Sequence, residues 1–522
     1  MWYELCITTG RTISVIRIRV EELGVLPMKI GMLTDFVAVE YCNGPALACQ
    51  SFRRHMQNRG HHVGLIGPKP NNESRAEGET ILLDSWRFRQ YGNAPFAMPW
   101  PLNTYAAKPN YDIIHANANS LLMHWAPMVR KLHGIPCIQT NTVHLPSFAH
   151  HVLPEDVLNG RLSKPFFDGL QNYVEKHFCD LYDAGDGLIV QCQGLVDYWR
   201  NKGLEVPLHI IPRPVDVLNF DQPLKADPYR LDFQKGSRMV VACRHAGEKS
   251  LDQLLEIFAQ EILPKRSNAS LTLIGDGPAH KSLKKLAKTL GIAHRCEFIG
   301  ELAQKELPNW YHHADVFTYT SMSETFGQVI SETLWMGTPV VGFDDGMGVA
   351  YQVKDGENGR MVKYGDYEGF GAAVVDLFDH PSKLKAMSET AQRKQRALVH
   401  PEIVFQAYEN AYLSAIDHIK RRPPTTTQDR SLKMKWGLFK EHIFPWFWKH
   451  SVLIGSGMIS SGYQPKANVA FDAMPDLAPE LLSKSTKRPY LRVVENQQAM
   501  DDVVRMAEAD MYKTAEKLGL SG

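Results

Sequence analysis

Two glutamates, Glu324 and Glu332, bracket the seven residues Thr-Phe-Gly-Gln-Val-Ile-Ser, and Thr333-Leu-Trp-Met-Gly-Thr-Pro-Val-Val341 follows at once. Ser321 and Ser323 supply oxygens suited to an N-cap, and Phe326–Met336 then reads as a short helix. Gly337 stops it, and Val340-Val341 opens a buried strand. A helix start of this kind offers backbone N–H groups to a phosphate. Eight residues of helix rise about 12 Å, so the two carboxylates can address opposite ends of an elongated ligand. Upstream, Val240-Val-Ala-Cys-Arg244-His-Ala-Gly-Glu-Lys249 places two cations just after an apolar strand. Arginine presents a planar fork and lysine a point charge, a combination able to neutralise a diphosphate.

Three further stretches complete the pattern. Leu271-Thr-Leu-Ile-Gly275-Asp-Gly277-Pro278 is a strand with a glycine turn, Cys296-Glu-Phe-Ile-Gly300 a strand ending in glycine, and Asp355-Gly-Glu-Asn-Gly359 a polar turn. All five stretches fall within about 120 residues. In this order they resemble the donor-binding signature of retaining glycosyltransferases with two Rossmann-like domains (GT-B, family 4, glycosyl transferases group 1). The resemblance covers about residues 28–420. It implies an α/β protein of two facing, doubly wound domains with a nucleotide-sugar donor in the cleft between them.

By the same resemblance Glu324 binds the sugar hydroxyls, Glu332 holds the ribose hydroxyls, and Arg244 and Lys249 hold the diphosphate, helped by amides around Phe326 and Gly327. Gly275 and Gly300 line the donor site, Gly300 beside the base. Asp355–Gly359 resembles the turn after the last strand of the donor domain. Gln328, counted with the donor-binding residues beside the phosphate-binding amides, stands where relatives carry an apolar residue, and Tyr351 where they commonly carry Glu; both departures leave the sugar open. A same-face displacement is implied, in which the leaving oxygen takes the acceptor proton and no protein nucleophile is needed. No Asp-x-Asp clamp is present, so neither a metal nor another cofactor is expected.

On the acceptor side, Asn43-Gly44-Pro45 resembles the Asn-Gly-Val loop of one subset of the family. Its glycine lets backbone approach the donor, and the following helix adds a partial positive charge. Arg213-Pro-Val-Asp216 resembles the Arg-Gly-Val-Asp of the same subset, with Pro214 replacing the glycine. Many members of that subset glycosylate lipids such as diacylglycerol or phosphatidylinositol. Relatives often carry His-Thr after the strand equivalent to Ile135–Gln139, and here either Asn141 or His144 takes the histidine's place. His144 is preferred, because imidazole can hydrogen-bond a sugar and pass a proton. His115, at the end of its strand, is a lesser candidate.

The chain's 522 residues suffice for two or three domains, and 44% hydrophobic with 22% charged residues is ordinary for a globular protein. A formal net charge of +1 argues against nucleic acid as a partner. Eight cysteines without a Cys-x-x-Cys indicate neither a zinc site nor a disulfide framework, which fits a reduced cytoplasmic setting. No apolar run reaches the roughly 20 residues of a membrane-spanning helix. Residues 1–27 lack the order of a signal peptide and read as an extension or, preferably, as the product of an upstream start codon.

From Met28, strands at Lys29–Thr34, His62–Ile66, Tyr111–His115, Ile135–Gln139 and Gly187–Gln191 alternate with helices, the first at Pro45–Arg59. A proline-rich stretch at 213–228 reads as a linker. It separates an acceptor domain, 28–217, from a nucleotide-sugar domain, 218–400. Pro401–Arg421 is the candidate for a helix returning to the first domain, within 401–422. The tail, 423–522, interleaves Trp436, Phe439, Trp446 and Trp448 with lysines in a pattern suited to a membrane interface. Arg53, Arg54, His55 and Arg59, with His61 and His62 beyond, offer a second basic surface for anionic membrane.

Three functions fit these features. One is a lipid glycosyltransferase, cytoplasmic and peripheral on the inner face of a membrane. Another is a soluble enzyme of the same fold acting on a sugar, polysaccharide or small metabolite. The third is a silent nucleotide-sugar-binding protein, against which the intact Arg244, Lys249, Glu324 and Glu332 argue. UDP and GDP, and the identity of the hexose, are not separated by the sequence.

Overall fold

A computed structural model of the chain describes residues 2–9, 12–19, 27–37, 44–70, 79–88, 94–97, 108–118, 122–141, 164–322 and 324–424. Asn43, His144, Ser323 and the aromatic–lysine segment of the tail lie outside the described residues. Strands β1 (Trp2–Thr9) and β2 (Thr12–Arg19) pair antiparallel and belong to a unit separate from Met28–Val469.

The first domain comprises β3 (Lys29–Thr34), α1 (Gly44–Asn58), β4 (His62–Pro68), β5 (Thr80–Leu83), the antiparallel ribbon β6 (Ser85–Phe88) and β7 (Ala94–Ala97), and β8 (Ile113–Asn117). It continues through α2 (Leu122–His133), β9 (Cys137–Thr140), α3 (Lys164–Asp183), β10 (Gly187–Val190), α4 (Gln193–Asn201) and β11 (Leu208–Ile210). Its parallel strands run in the order β11-β10-β9-β8-β3-β4-β5. Helices cover both faces, which is why the strands read as near-continuous apolar runs: Ile30, Leu33, Ile113, Ile114, Leu188 and Ile189 are all buried.

The second domain follows through α5 (Val217–Phe220), β12 (Arg238–Ala242), α6 (Leu251–Ile257), β13 (Ser270–Ile274), α7 (His280–Thr289), β14 (Cys296–Gly300), α8 (Leu307–His312) and β15 (Val316–Tyr319). Then come α9 (Gln328–Trp335), β16 (Val340–Phe343), α10 (Gly348–Gln352), β17 (Gly359–Val362), α11 (Tyr367–Asp379) and α12 (Pro381–Val399). Its parallel order is β14-β13-β12-β15-β16-β17. Each sheet reverses its winding once, between β3 and β8 and between β12 and β15. Ligands of doubly wound sheets bind outside the carboxyl ends of the strands at such reversals.

Two expectations need correction. The proline-rich stretch at 213–228 is a packed strap and no flexible spacer: Val215 and Phe220 are buried in the second domain's core, and Trp335 Nε1 donates to Asp221 Oδ1 at 2.9 Å. The Asp355–Gly359 turn precedes β17. It therefore lies at the amino end of the edge strand, away from the other matched motifs.

Helix α13 (Pro401–Arg421) returns to the first domain over the expected residues. Arg59 donates from Nε to Glu409 Oε1 and from Nη1 to Glu402 Oε2, both at 2.7 Å, and His61 Nε2 lies 2.9 Å from Glu409 Oε1. His55 stacks on Phe405 with ring centroids 4.6 Å apart, and burial lowers its pKa to about 4. Asp186 accepts from Arg130 Nε at 2.8 Å and lies 3.0 Å from His418 Nδ1. The basic residues on α1 and just beyond it, expected to meet a membrane, are thus largely engaged: Arg59 is ion-paired, His61 lies at hydrogen-bond distance from Glu409, His55 is stacked on Phe405, and Arg53 is buried. Among the described residues no helix is long and apolar enough to cross a membrane.

Breaking a buried ion pair leaves an uncompensated charge. Glu409→Ala should therefore lower the unfolding free energy by roughly 3 kcal/mol in urea titrations. Glu402→Ala, whose carboxylate is 39% exposed, should cost less than about 1 kcal/mol.

Candidate active site

Arg244 and Lys249 lie just past the carboxyl end of β12, and Glu324 just past that of its neighbour β15. Lys249 Nζ donates to Glu324 Oε1; the two side chains are 18% and 15% exposed. Tyr319 Oη donates to the same oxygen at 2.7 Å, and Ser321 Oγ at 3.3 Å. Burial by itself would raise the Glu324 pKa, but Lys249 and the two hydroxyls hold it below the ordinary carboxylate range. Burial likewise works to lower the Lys249 pKa, and Glu324 outweighs it and holds the ammonium above its usual value. Both partners are therefore charged.

Side chains on the β15 loop fix the loop after β12. Thr320 Oγ1 donates to the carbonyls of Lys249 and Ser250, each at 2.9 Å. Ser321 Oγ donates to Glu248 O at 3.2 Å. Ser250 adopts φ 48°, a conformation uncommon outside glycine, and this turns the chain directly from Lys249 into α6. Arg244 pairs with Glu248 and, at 57% exposure, stands at the water-facing side of the site.

Helix α9 starts later than expected. Gly327, at φ 80°, is its N-cap, so Glu324 lies on the loop ahead of the helix rather than one helical span from Glu332. Phe326 is buried in the core, and the Ser321 hydroxyl is engaged by Glu248 and Glu324 instead of capping the helix. The first turn of α9 points its N–H groups toward the end of the sheet where Lys249 stands. Behind this loop, Gly348 N donates to Glu324 O at 3.0 Å. A Cβ on Gly348 would come within 2.6 Å of the Phe326 backbone. Gln352 Nε2 donates to Phe326 O and, at 3.3 Å, to Gly327 O. Asp345 caps α10, accepting from the N–H groups of Met347, Val349 and Ala350 at 2.9, 3.2 and 3.1 Å. Burial pushes its carboxyl up to about 6.

Glu332, on the second turn of α9, is buried and accepts from Gln304 Nε2 at 2.9 Å. Asn219 Nδ2 donates to Asp216 Oδ2 at 3.1 Å and to Gln304 Oε1 at 3.4 Å, linking the strap to this carboxyl. Burial, reinforced by Asp216, pushes the Glu332 carboxyl up to about 8 against the hydrogen bond from Gln304. It is protonated at neutral pH in this arrangement. Gly275 and Gly300 sit at the ends of β13 and β14, where Gly275 N donates to Gly300 O at 2.7 Å. At φ 122°, Gly275 has no room for a Cβ, which would lie 2.0 Å from Cys243 O.

Of the residues expected on the acceptor side, Gly44 is the first residue of α1. Arg213 follows β11. Burial lowers its guanidinium pKa from the usual range, and Tyr408, Glu324 and Cys49 counter that effect. Gln328 Nε2 donates to Pro214 O at 3.2 Å, which gives the polar residue at 328 a reason: it ties the strap to the start of α9. Asn141 is buried and donates to Tyr182 Oη at 3.1 Å. His115 does not join these groups. Its nitrogens lie 2.8 Å from Tyr412 Oη and 2.7 Å from Thr140 Oγ1, and burial lowers its pKa to about 3. It fastens α13 to the first sheet.

Tyr319, Thr320, Gln304, Asp345 and Gln352 were not foreseen from the sequence. Asp345 could have been read as a cap, standing shortly before Gly348. Tyr319 and Gln304 carried no local signal, since their partners come from loops that only the sheet brings together.

Residues 43–217 match the family described as Glycosyltransferase Family 4, and residues 231–394 match Glycosyl transferases group 1. The alpha-monoglucosyldiacylglycerol synthase of Streptococcus pneumoniae is 26% identical over 402 residues, covering 74% of this chain and 86% of that protein. Among solved structures, the sucrose-phosphate synthase of Thermosynechococcus elongatus superposes with a TM-score of 0.59 at 19% identity, over 74% of this chain and 99% of the other. Anabaena HepE in complex with UDP-glucose gives 0.54 at 18% identity, over 74% and 100%. With its two reversed parallel sheets and the charged cluster at the switch point of the second, the chain belongs to the group 1 glycosyltransferases of the GT-B fold, with a Family 4 first domain.

Proposed function

We propose that this chain transfers a hexose, with retention, from a nucleoside diphosphate sugar to a lipid acceptor such as diacylglycerol at a membrane surface. The observation that carries the reading is the Lys249–Glu324 pair at the β12/β15 reversal, in front of the Gly327 turn. Lys249 and Arg244 supply positive charge for the diphosphate, and the first amides of α9 add fixed dipoles that need no reorganisation as the leaving group departs. Lys249, held against Glu324 beforehand, swings part of its charge to the phosphate, and Glu324 is left to accept hydrogen bonds from the sugar hydroxyls. The leaving oxygen then takes the acceptor proton on the same face. The Streptococcus synthase, named for an alpha-linked glucose and diacylglycerol, supports both the retention and the acceptor. HepE, with bound UDP-glucose, supports a UDP sugar. The soluble-enzyme reading draws support from the engagement of the α1 basic face by α13.

Transfer of label from UDP-glucose, UDP-galactose and GDP-mannose into diacylglycerol-containing vesicles tests the reading. Label should enter lipid with the native protein, and Glu324→Gln should lower kcat by roughly 100- to 1,000-fold with folding intact. Donor hydrolysis without labelled lipid would move the acceptor to the soluble class. Because Arg244, Lys249 and backbone dipoles carry the phosphate charge in this proposal, activity should survive EDTA. Loss on chelation with recovery on adding magnesium would overturn that assignment.

Ribose hydroxyls donating to Glu332 would favour its ionised form, so nucleotide binding would expel a proton from a carboxyl that keeps one up to about pH 8. Affinity then rises with pH, because the free state binds the extra proton. Calorimetry should show UDP affinity increasing between about pH 6 and 8 more steeply in the native protein than in Glu332→Gln. Equal slopes would remove Glu332 from the ribose site.

A further inference from the structure

Residues 277–296 carry Lys281, Lys284, Lys285, Lys288 and Arg295 and no Asp or Glu, in a protein whose formal net charge is only +1. Helix α7 accounts for the four lysines. Leu283 and Ala287 are buried on its inner face, with Leu286 and Leu290 packed beside them. The lysines are exposed on the opposite face. Lys284 Nζ lies 5.6 Å from the centre of the Phe298 ring. Among the described residues, none of the four lysines has a carboxylate within ion-pair distance. The contrast with the basic residues just beyond α1 is direct, since Arg59 and His61 are held by α13. The helix follows β13 through the Gly275–Pro278 turn, so its first turn lies at the end of the sheet that carries Arg244 and Glu324.

We propose that the lysine face of α7 is the surface on which this protein meets anionic lipid headgroups, keeping the rim of the donor cleft at the bilayer. The occupant rests on the lipid-acceptor reading above together with charge complementarity: an unopposed row of ammonium groups gains from the negative potential of an anionic leaflet. Such a contact is electrostatic and salt-sensitive, and it needs no inserted apolar segment.

The test is sedimentation of the full chain with vesicles of equal parts phosphatidylcholine and phosphatidylglycerol, against phosphatidylcholine alone. The native protein should partition to the anionic vesicles and leave them at high salt. Replacing all four lysines by Gln should weaken partitioning at least about tenfold, since each cation near such a surface contributes about a fivefold gain. Replacing them by Arg should preserve it. UDP binding in solution should be the same in all three proteins and reports that the Gln variant is folded. Partitioning unchanged in the Gln variant, lost only with Trp446→Ala and Trp448→Ala, or equal on phosphatidylcholine would overturn the proposal. So would tighter binding to RNA than to the anionic vesicles at the same salt. Vesicle binding is read without any sugar transfer. Lysine-dependent partitioning without glycosylation of diacylglycerol would therefore remove the acceptor and leave the surface, and lysine-independent partitioning with glycosylation would do the reverse.

Discussion

A lysine and a glutamate mostly withdrawn from water remain ionised only while each faces the other, because removing either leaves a charge with no compensation. Lys249 and Glu324 meet this condition at the reversal of the second sheet, and much of the surrounding architecture serves to keep them there. They come from loops after adjacent strands, so the register of β12 and β15 sets their separation. Thr320 and Ser321 stitch the loops to each other, while Tyr319 satisfies the carboxylate from below. The short helix after β16, α10, supports the Glu324 carbonyl through Gly348 and the Phe326–Gly327 carbonyls through Gln352. The result is a carboxylate whose charge is fixed before any ligand arrives, which is the preorganisation that electrostatic catalysis requires.

The two glutamates of the pattern are held in opposite states. Glu324 is kept ionised by a cation and two hydroxyls. Glu332, eight residues on, faces burial and the Asp216 carboxylate, which outweigh the hydrogen bonds from the Gln304 and Gln328 amides and raise its pKa. Similar side chains thus acquire different chemistry from their surroundings. One is held as an anion against a cation, and burial holds the other toward its neutral form.

The strap and the return helix determine how the first domain relates to this site. Gln328 reaches from the start of α9 to Pro214, and Asp216 connects through Asn219 to the Gln304–Glu332 pair. The residues that leave the first domain therefore touch both the start of α9 and the surroundings of Glu332. Helix α13 then runs back and engages the basic residues on and just beyond α1: Arg59 in ion pairs, His61 beside Glu409, and His55 in a stack. That commitment explains why a run of arginine and histidine, which in isolation suits an anionic surface, is structural here.

The sequence by itself determined the two doubly wound domains, many of their strands though not β5, β6, β7, β11, β15 or β17, and the bounds of the helix Pro401–Arg421. These are written in local apolar runs, glycine turns and the order of motifs, and local patterns survive without knowledge of partners. It could not place the start of α9, because a serine reads equally as a cap or as a pin between loops, and only the position of Glu248 decides between them. It could not tell that His115 faces Tyr412, that Arg59 faces Glu409, or that Asp355–Gly359 sits at the wrong end of an edge strand. Each of those depends on partners brought close from far along the chain. The protonation of Glu332 and the ionisation of Glu324 were decided the same way, since a carboxyl's charge follows its burial and its neighbours, and both are properties of the tertiary structure.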